Sequence, residues 1–269
     1  MSSWCSSRDS GAVQPSSLLV EDRDDGVRVL TLSNPARRNA LDDGQVARLD
    51  EALASAPGQV RAVLIQGAGG TFCSGYDLNV LGAPTEDRLP DDSLMECLAR
   101  LESLPLPSVA LVRGWAFGAG FDLSASCDFR IGSEEAVFSM PPARLGIVYS
   151  PDGLMRAARL VGVARAKNLF LTGRRLDAKE ALAWGLLDEC LPVADAEARA
   201  LELCRTLAAQ APLAVAGMKA SFRLLGRPAL SADERAHLRE VRARAFASED
   251  AKEGRAAFLE KRTPRFRGQ

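Results

Sequence analysis

Short runs of β-branched and aliphatic residues alternate with helical segments through the first half of this chain, and that alternation limits the fold more than any other feature. Residues 17–21 and 27–32 are β-rich and flank Asp22-Arg23-Asp24-Asp25-Gly26, a turn signal that opens the chain as an antiparallel hairpin. Asn39-Ala40-Leu41-Asp42 leads into an amphipathic helix to about residue 55, and a buried-type strand follows at 60–66. The pattern repeats with a helix over 93–102, a strand over 108–112, a short helix after Gly118 and a strand near 128–131. Strands separated by helices imply right-handed crossovers and a largely parallel sheet, so the fold class is α/β. Beyond about residue 164 strand signals nearly vanish. Asp177-x-x-Glu180, Ser231-x-x-Glu234 and Asp250-x-x-Glu253 each have capping-box spacing, which predicts a C-terminal helical layer. The apolar faces of 215–225 and 238–246 must pack on the body of the domain or on a neighbouring subunit. Residues 82–92 look like a mobile loop, and the serine-rich start, residues 1–17, like a disordered one.

Composition removes several function classes. The 34 basic and 35 acidic side chains leave a formal charge of −1, too small to gather nucleic acid or an anionic membrane around the molecule. The six cysteines contain no Cys-x-x-Cys pair, and His237 is the only histidine, so no metal site is expected. The same histidine lies in an Arg-rich helical stretch, which speaks against a serine–histidine or cysteine–histidine engine. Neither a signal-peptide core nor an 18-residue apolar run is present, and the expectation is a cytoplasmic protein with reduced thiols. Gly67-Ala68-Gly69-Gly70 and Gly118-Ala119-Gly120 lack dinucleotide spacing, and no phosphate loop occurs.

Two glycine-bearing strand-to-helix junctions remain: Phe72-Cys73-Ser74-Gly75-Tyr76-Asp77-Leu78, and Gly114-Trp115-Ala116-Phe117-Gly118-Ala119-Gly120-Phe121-Asp122. Both follow carboxyl ends of expected parallel strands, where α/β folds place ligands. Small residues let a ligand approach the backbone, and unpaired amides at a helix start present a positive dipole end. Taken singly, each glycine also fits a purely architectural part in close helix–strand packing.

From about Val20 to the C-terminus these motifs resemble the crotonase, or enoyl-CoA hydratase/isomerase, superfamily. Asn34-Pro35-Ala36-Arg37-Arg38-Asn39-Ala40-Leu41 is similar to its early signature, the two glycine segments to its oxyanion motifs, and Thr172-Gly173-Arg174-Arg175 with Ala181-x-x-x-Gly185-Leu186 to its later helical signature. The resemblance implies a crotonase-like ββα spiral core over 18–200 and a helical trimerisation region over 201–269. It implies an oxyanion hole made by the amides of Tyr76 and Ala119. The coenzyme A path would involve Arg37, Arg38, Ala40, Ser74, Asp77, Leu78 and Lys261, the last from this or a neighbouring subunit. No separate cofactor is implied, since the CoA moiety belongs to the substrate. Partners are an acyl-CoA or acyl-carrier-protein thioester and further copies of the chain, as a homotrimer or a dimer of trimers, with neither membrane nor nucleic acid.

Hydratases of this family use two glutamates, whose positions here are occupied by Asp122 and Pro142. Proline transfers no proton, so two-carboxylate hydration is not expected. The segment 138–149 instead resembles that of the methylmalonyl-CoA decarboxylases, with Tyr149 at the place of their tyrosine. Expelling CO₂ forms an enolate without a strong base, and a Tyr149 hydroxyl donating to the departing carboxylate would hold it perpendicular to the thioester plane. Tyr149 equally fits a core position, Asp122 a favourable charge at a helix start, and Arg144 either a substrate carboxylate or solvent. The expectation is a malonyl- or methylmalonyl-type decarboxylase. The alternatives are a hydratase or isomerase using Asp122 alone, and a non-catalytic scaffold binding acyl thioesters or RNA through Arg262, Arg265 and Arg267.

Overall fold

The structure is a computed structural model and describes residues 17–225 and 231–264. Residues 1–16, Arg265 and Arg267 lie outside the described residues, whereas Ser17, expected in the disordered start, already belongs to the first strand. Strands β1 (Ser17–Asp22) and β2 (Val27–Ser33) form the antiparallel hairpin, in a register that pairs Ser17 with Ser33 and Asp22 with Arg28. Helix α1 (Asp43–Ala54) follows, started by Asp42, whose carboxylate accepts from Gln45 N at 2.7 Å. Strand β3 (Ala62–Gly67) returns parallel to β2, and after α2 (Asp92–Ser103) strand β4 (Ser108–Val112) adds parallel to β3. A short β5 (Trp115–Phe117) leads into α3 (Ala119–Ser126), then β6 (Phe129–Ser133) and β7 (Val137–Ser139). The remainder comprises α4 (Pro151–Val161), α5 (Val163–Thr172), β8 (Arg175–Asp177), α6 (Ala178–Trp184), β9 (Glu189–Leu191), α7 (Val193–Ala208), α8 (Pro212–Leu225), α9 (Ala232–Ala247) and α10 (Glu249–Leu259).

The main sheet runs β1-β2-β3-β4-β6-β9, and a second small sheet runs β5-β7-β8. Alternation along the central strands sorts their side chains onto two cores. Leu30, Val63, Ile65, Ala110 and Val112 face α1, α2 and α3, while Val29, Leu64, Val109 and Leu111 face Ala196, Ala200 and Cys204 of α7. Burial on both faces explains the near-continuous apolar runs of β3 and β4. The division expected after residue 200 falls inside α7, which serves as the cover of the sheet's second face.

Two sequence expectations are corrected. Asp250 does not start the last helix; Ser248 does, its hydroxyl accepting from Ala251 N at 3.0 Å, with Asp250 inside the first turn. Strands β8 and β9 lie in the stretch expected to be helical, and at three residues each they are too short to show a period.

Candidate active site

The segment after β3 is laced between two others. On one side Phe72 N donates to Arg113 O at 2.7 Å, Cys73 N to Trp115 O at 2.8 Å, and Phe117 N returns to Cys73 O at 3.0 Å. On the other, Leu41 N donates to Gly75 O and Asp77 N to Leu41 O, both at 2.8 Å. Since Gly75 O and Asp77 N point to Leu41, the intervening N–H of Tyr76 points the opposite way. Gly75 has φ +109°, and a Cβ there would stand 3.0 Å from Phe117 O and 3.8 Å from Ala119 N. Glycine is what brings the two junctions together. A Cβ at Gly120 would meet Cys73 O at 2.4 Å.

Ala119 is the first residue of α3, a helix buried over its whole length. Among the described residues, no backbone or side-chain acceptor takes the N–H of Tyr76 or of Ala119. Two free donors therefore meet at the positive end of α3, the arrangement that holds an oxyanion.

They open onto a cavity of about 680 Å³. Tyr76, Ala119 and Tyr149 line it, as do Arg37, Arg38, Ala40, Ser74, Asp77 and Leu78. Arg37 forms an ion pair with Asp77, and Ser74 Oγ donates to Arg37 O at 3.0 Å. Burial raises the Asp77 pKa, but the hydrogen bonds from Asn79 and Arg37 outweigh it and leave the carboxyl below its ordinary value. Tyr76 gives its hydroxyl hydrogen to Asp43, and burial together with that carboxylate raises its pKa, so what it offers the cavity is its backbone.

Sequence inspection missed the aromatic wall. Trp115 and Phe117 stack at 4.8 Å, with the Arg38 guanidinium 4.3 Å above the Trp115 ring and that of Arg175 at 5.5 Å. The signal was the two-residue spacing of Trp115 and Phe117, which on a strand puts both rings on one face. Asp91 was also missed; it lines the cavity and is 9% exposed.

Several expected residues stand elsewhere. Asp122 is fully buried and forms no part of the cavity wall. Its Oδ1 accepts from Arg156 Nη1 at 2.5 Å and its Oδ2 from the Tyr149 hydroxyl at 3.0 Å. Arg156 in turn donates to both carboxylate oxygens of Glu102, at 3.1 and 3.2 Å. Gly153 permits this closeness, since a Cβ there would lie 2.4 Å from the Tyr149 ring and 2.9 Å from Asp122 Oδ2. Burial first, then the negative charges of Asp122 and Asp91, push the Tyr149 hydroxyl well above its ordinary pKa. Lys261 is exposed beyond α10 and does not line its own chain's cavity. Arg144 is exposed, bonded to Thr172 O at 3.1 Å from Nε and 2.9 Å from Nη2, and does not line the cavity. His237 is exposed on α9, and among the described residues no group of acidic, histidine or cysteine side chains is placed to hold a metal.

A sequence model of the enoyl-CoA hydratase/isomerase family matches residues 22–269. The chain belongs to that family. It is 34% identical over 253 residues to 2,3-dehydroadipyl-CoA hydratase of Escherichia coli strain K12, covering 93% of this chain and 99% of the relative. It is 36% identical over 220 residues to carnitinyl-CoA dehydratase of Proteus mirabilis strain HI4320, covering 78% and 82%. Among solved structures, a methylmalonyl-CoA decarboxylase in complex with 2-nitronate-propionyl-CoA superimposes with a TM-score of 0.85 at 30% identity, over 96% of this chain and all of that one. An enoyl-CoA hydratase/isomerase from Pseudoalteromonas atlantica T6c gives 0.81 at 30% identity, over 93% of this chain and 99% of that one. The crotonase fold is thus the fold of this enoyl-CoA hydratase/isomerase family member, and acyl-CoA thioesters are the substrates of its family. No described helix is long and apolar enough to cross a membrane.

Proposed function

We propose that this chain decarboxylates a malonyl- or methylmalonyl-type acyl-CoA, holding the resulting enolate at the amides of Tyr76 and Ala119. The observation that carries this is the enclosure of Asp122. Its carboxylate is held by Arg156 and Tyr149 out of the cavity, and Pro142 lines the wall where hydratases of the family carry their second glutamate. Neither position can take a proton from carbon or activate water, whereas loss of CO₂ makes the enolate with no base at all.

The cavity's charges suit that step. Its described cations, Arg37, Arg38 and Arg175, gather about Asp77 and Trp115 and suit the phosphates of CoA. The acyl end, walled by Leu94, Met140, Pro142 and Tyr149, has only a phenol to offer a carboxylate. As the substrate carboxylate arrives, Tyr149 turns its single hydrogen from Asp122 to that group, and Arg156 keeps Asp122 paired. A neutral donor orients the carboxylate without neutralising it. Charge then moves from the carboxylate to the thioester oxygen, where two preorganised amides meet it, so the site favours the transition state over the bound substrate. No cofactor enters beyond the CoA carried by the substrate, and a carrier-protein thioester presents the same reacting group. Exposed Leu213, Met218 and Phe222 on α8 support assembly as a trimer or dimer of trimers.

The names of the sequence relatives favour a second candidate, hydration or isomerisation of an enoyl thioester. Offering purified protein malonyl-, methylmalonyl- and crotonyl-CoA separates the two. A mass loss of about 44 with CO₂ release from a dicarboxylic substrate supports the first. Turnover of crotonyl-CoA alone replaces it with the second.

A further inference from the structure

A second cavity of about 300 Å³ adjoins the first, and Leu78, Leu81, Leu145, Ile147 and Phe246 line both. Every described residue that the two share is apolar. Leu145 closes the turn Pro142–Leu145, and Ile147 N donates to Pro142 O at 3.0 Å, so two shared walls belong to the same turn as Pro142 of the acyl end. Leu81 N donates to Asp77 O at 3.1 Å, which ties another shared wall to the segment that follows the Tyr76 amide. Arg37, Arg38 and Arg175, the cations of the first cavity, do not line the second.

The far side is formed by Gly82, Ala83 and Pro84 with Ala247 and Ala251, whose small side chains leave the space open. Helix α10 cannot settle into it, because its backbone already rests on the turn. A Cβ at Gly146 would stand 2.7 Å from the Asp250 carbonyl carbon, and one at Gly254 2.5 Å from that of Leu145. The two cations at the rim are engaged elsewhere: Arg255 donates to Leu81 O at 2.7 Å and to Asn79 O at 3.2 Å, and Lys252 to Glu249 at 2.7 Å. Their aliphatic stems are what they offer the cavity. A water molecule needs only about 10–15 Å³ of such space, so the compartment has room for a chain of several carbons.

We propose that this second cavity takes an alkyl branch on the α-carbon, so that the substrate is an alkylmalonyl-CoA whose branch is longer than methyl. The malonyl part rests on the decarboxylase reading above, and the branch on the shared apolar walls. The α-carbon of such a thioester carries three groups besides hydrogen. With the thioester oxygen on the amides of Tyr76 and Ala119 and the carboxylate on Tyr149, the third group leaves along Leu81, Leu145 and Ile147. A methyl group ends within the first cavity. Each further methylene exchanges water for an apolar wall, a gain of about fourfold in affinity.

The test uses the full-length protein and reads binding and turnover side by side. Hexanoyl-CoA and propionyl-CoA are the saturated thioesters left when butylmalonyl- and methylmalonyl-CoA lose CO₂. Hexanoyl-CoA is expected to bind about 10–10²-fold tighter, and butylmalonyl-CoA to release CO₂ with a kcat/KM higher by a similar factor. Ala247→Leu and Ala251→Leu fill the compartment and should bring the two binding constants to within about threefold, with propionyl-CoA binding reporting a retained fold. Equal affinity of the wild type for both thioesters overturns the proposal, as does an undiminished hexanoyl-CoA preference in either variant. A preference lost on filling, with no CO₂ released from either malonyl substrate, supports the compartment and removes the decarboxylase. CO₂ release from methylmalonyl-CoA alone leaves the decarboxylase and overturns the alkyl branch.

Discussion

Arg156 Nη1 lies 2.5 Å from Asp122 Oδ1, a guanidinium only 4% exposed against a carboxylate that is fully enclosed. Neither charge has water to fall back on, so each depends on the other. Arg156→Met is expected to destabilise the fold by about 3–5 kcal/mol, because it strands Asp122. Combining it with Asp122→Leu should recover most of that loss. Urea midpoints of the wild type, the two single variants and the double variant check this.

Tyr149→Phe keeps the ring against Phe170, whose centroid is 5.6 Å away, and deletes only the hydroxyl. Stability should fall by about 1.5–3 kcal/mol, the value of one hydrogen bond to a carboxylate that Arg156 still holds. Decarboxylation should fall about 10²-fold through lost orientation of the leaving group. Steady-state turnover and thermal melts on one preparation separate the two effects, and unchanged turnover removes Tyr149 from the mechanism.

At Gly75 the backbone sits at φ +109° and faces Phe117 O. Gly75→Ala forces the two junctions apart and misplaces an oxyanion donor. A loss of about 10²–10³ in kcat is expected, larger than any rise in KM. Initial rates across substrate concentration read that split.

Arg175 stands 5.5 Å over the Trp115 ring, with Arg38 at 4.3 Å. If these cations meet CoA phosphates, Arg175→Glu raises KM for an acyl-CoA by about tenfold and leaves kcat near its original value. A thioester truncated to lack the nucleotide should show no such change. Equal effects on both substrates would place Arg175 outside nucleotide binding.

Burial pushes the thiols of Cys73, Cys97, Cys127 and Cys204 up to about 12 from an ordinary 9.0. The unfolded chain therefore releases these protons first. Their contribution to stability is complete below about pH 9 and is lost as pH rises toward about 12, at up to about 1.4 kcal/mol per thiol per pH unit. Urea unfolding at about pH 8 and about pH 10 should show the decline, and Cys204→Ala should flatten it.

The central strands of the main sheet were legible because β3 and β4 each carry four consecutive apolar residues, 62–65 and 109–112, buried on both faces, whereas its edge strand β9 was not. The small sheet was not, since Trp115–Phe117, Val137–Ser139 and Arg175–Asp177 are too brief to show alternation. At the site, the glycines of both junctions were visible as small residues at the ends of buried strands, although each alone also fitted close helix–strand packing. The confinement of Asp122 was invisible, because Arg156 arrives from α4 and nothing local to either residue announces the pair. Asp91 was hidden differently: next to Asp92 it reads as an ordinary acidic helix start.

The segment carrying Gly75 and Tyr76 is bonded on one flank to Leu41 and on the other to the strand of Trp115–Phe117, three pieces far apart along the chain. No local stretch can assemble the pair of donors by itself. Catalytic competence should therefore emerge only at the last, long-range stage of folding, and partly folded forms should be silent instead of weakly active. In a population undergoing denaturation, residual turnover would then count intact molecules directly, its loss coinciding with the global transition.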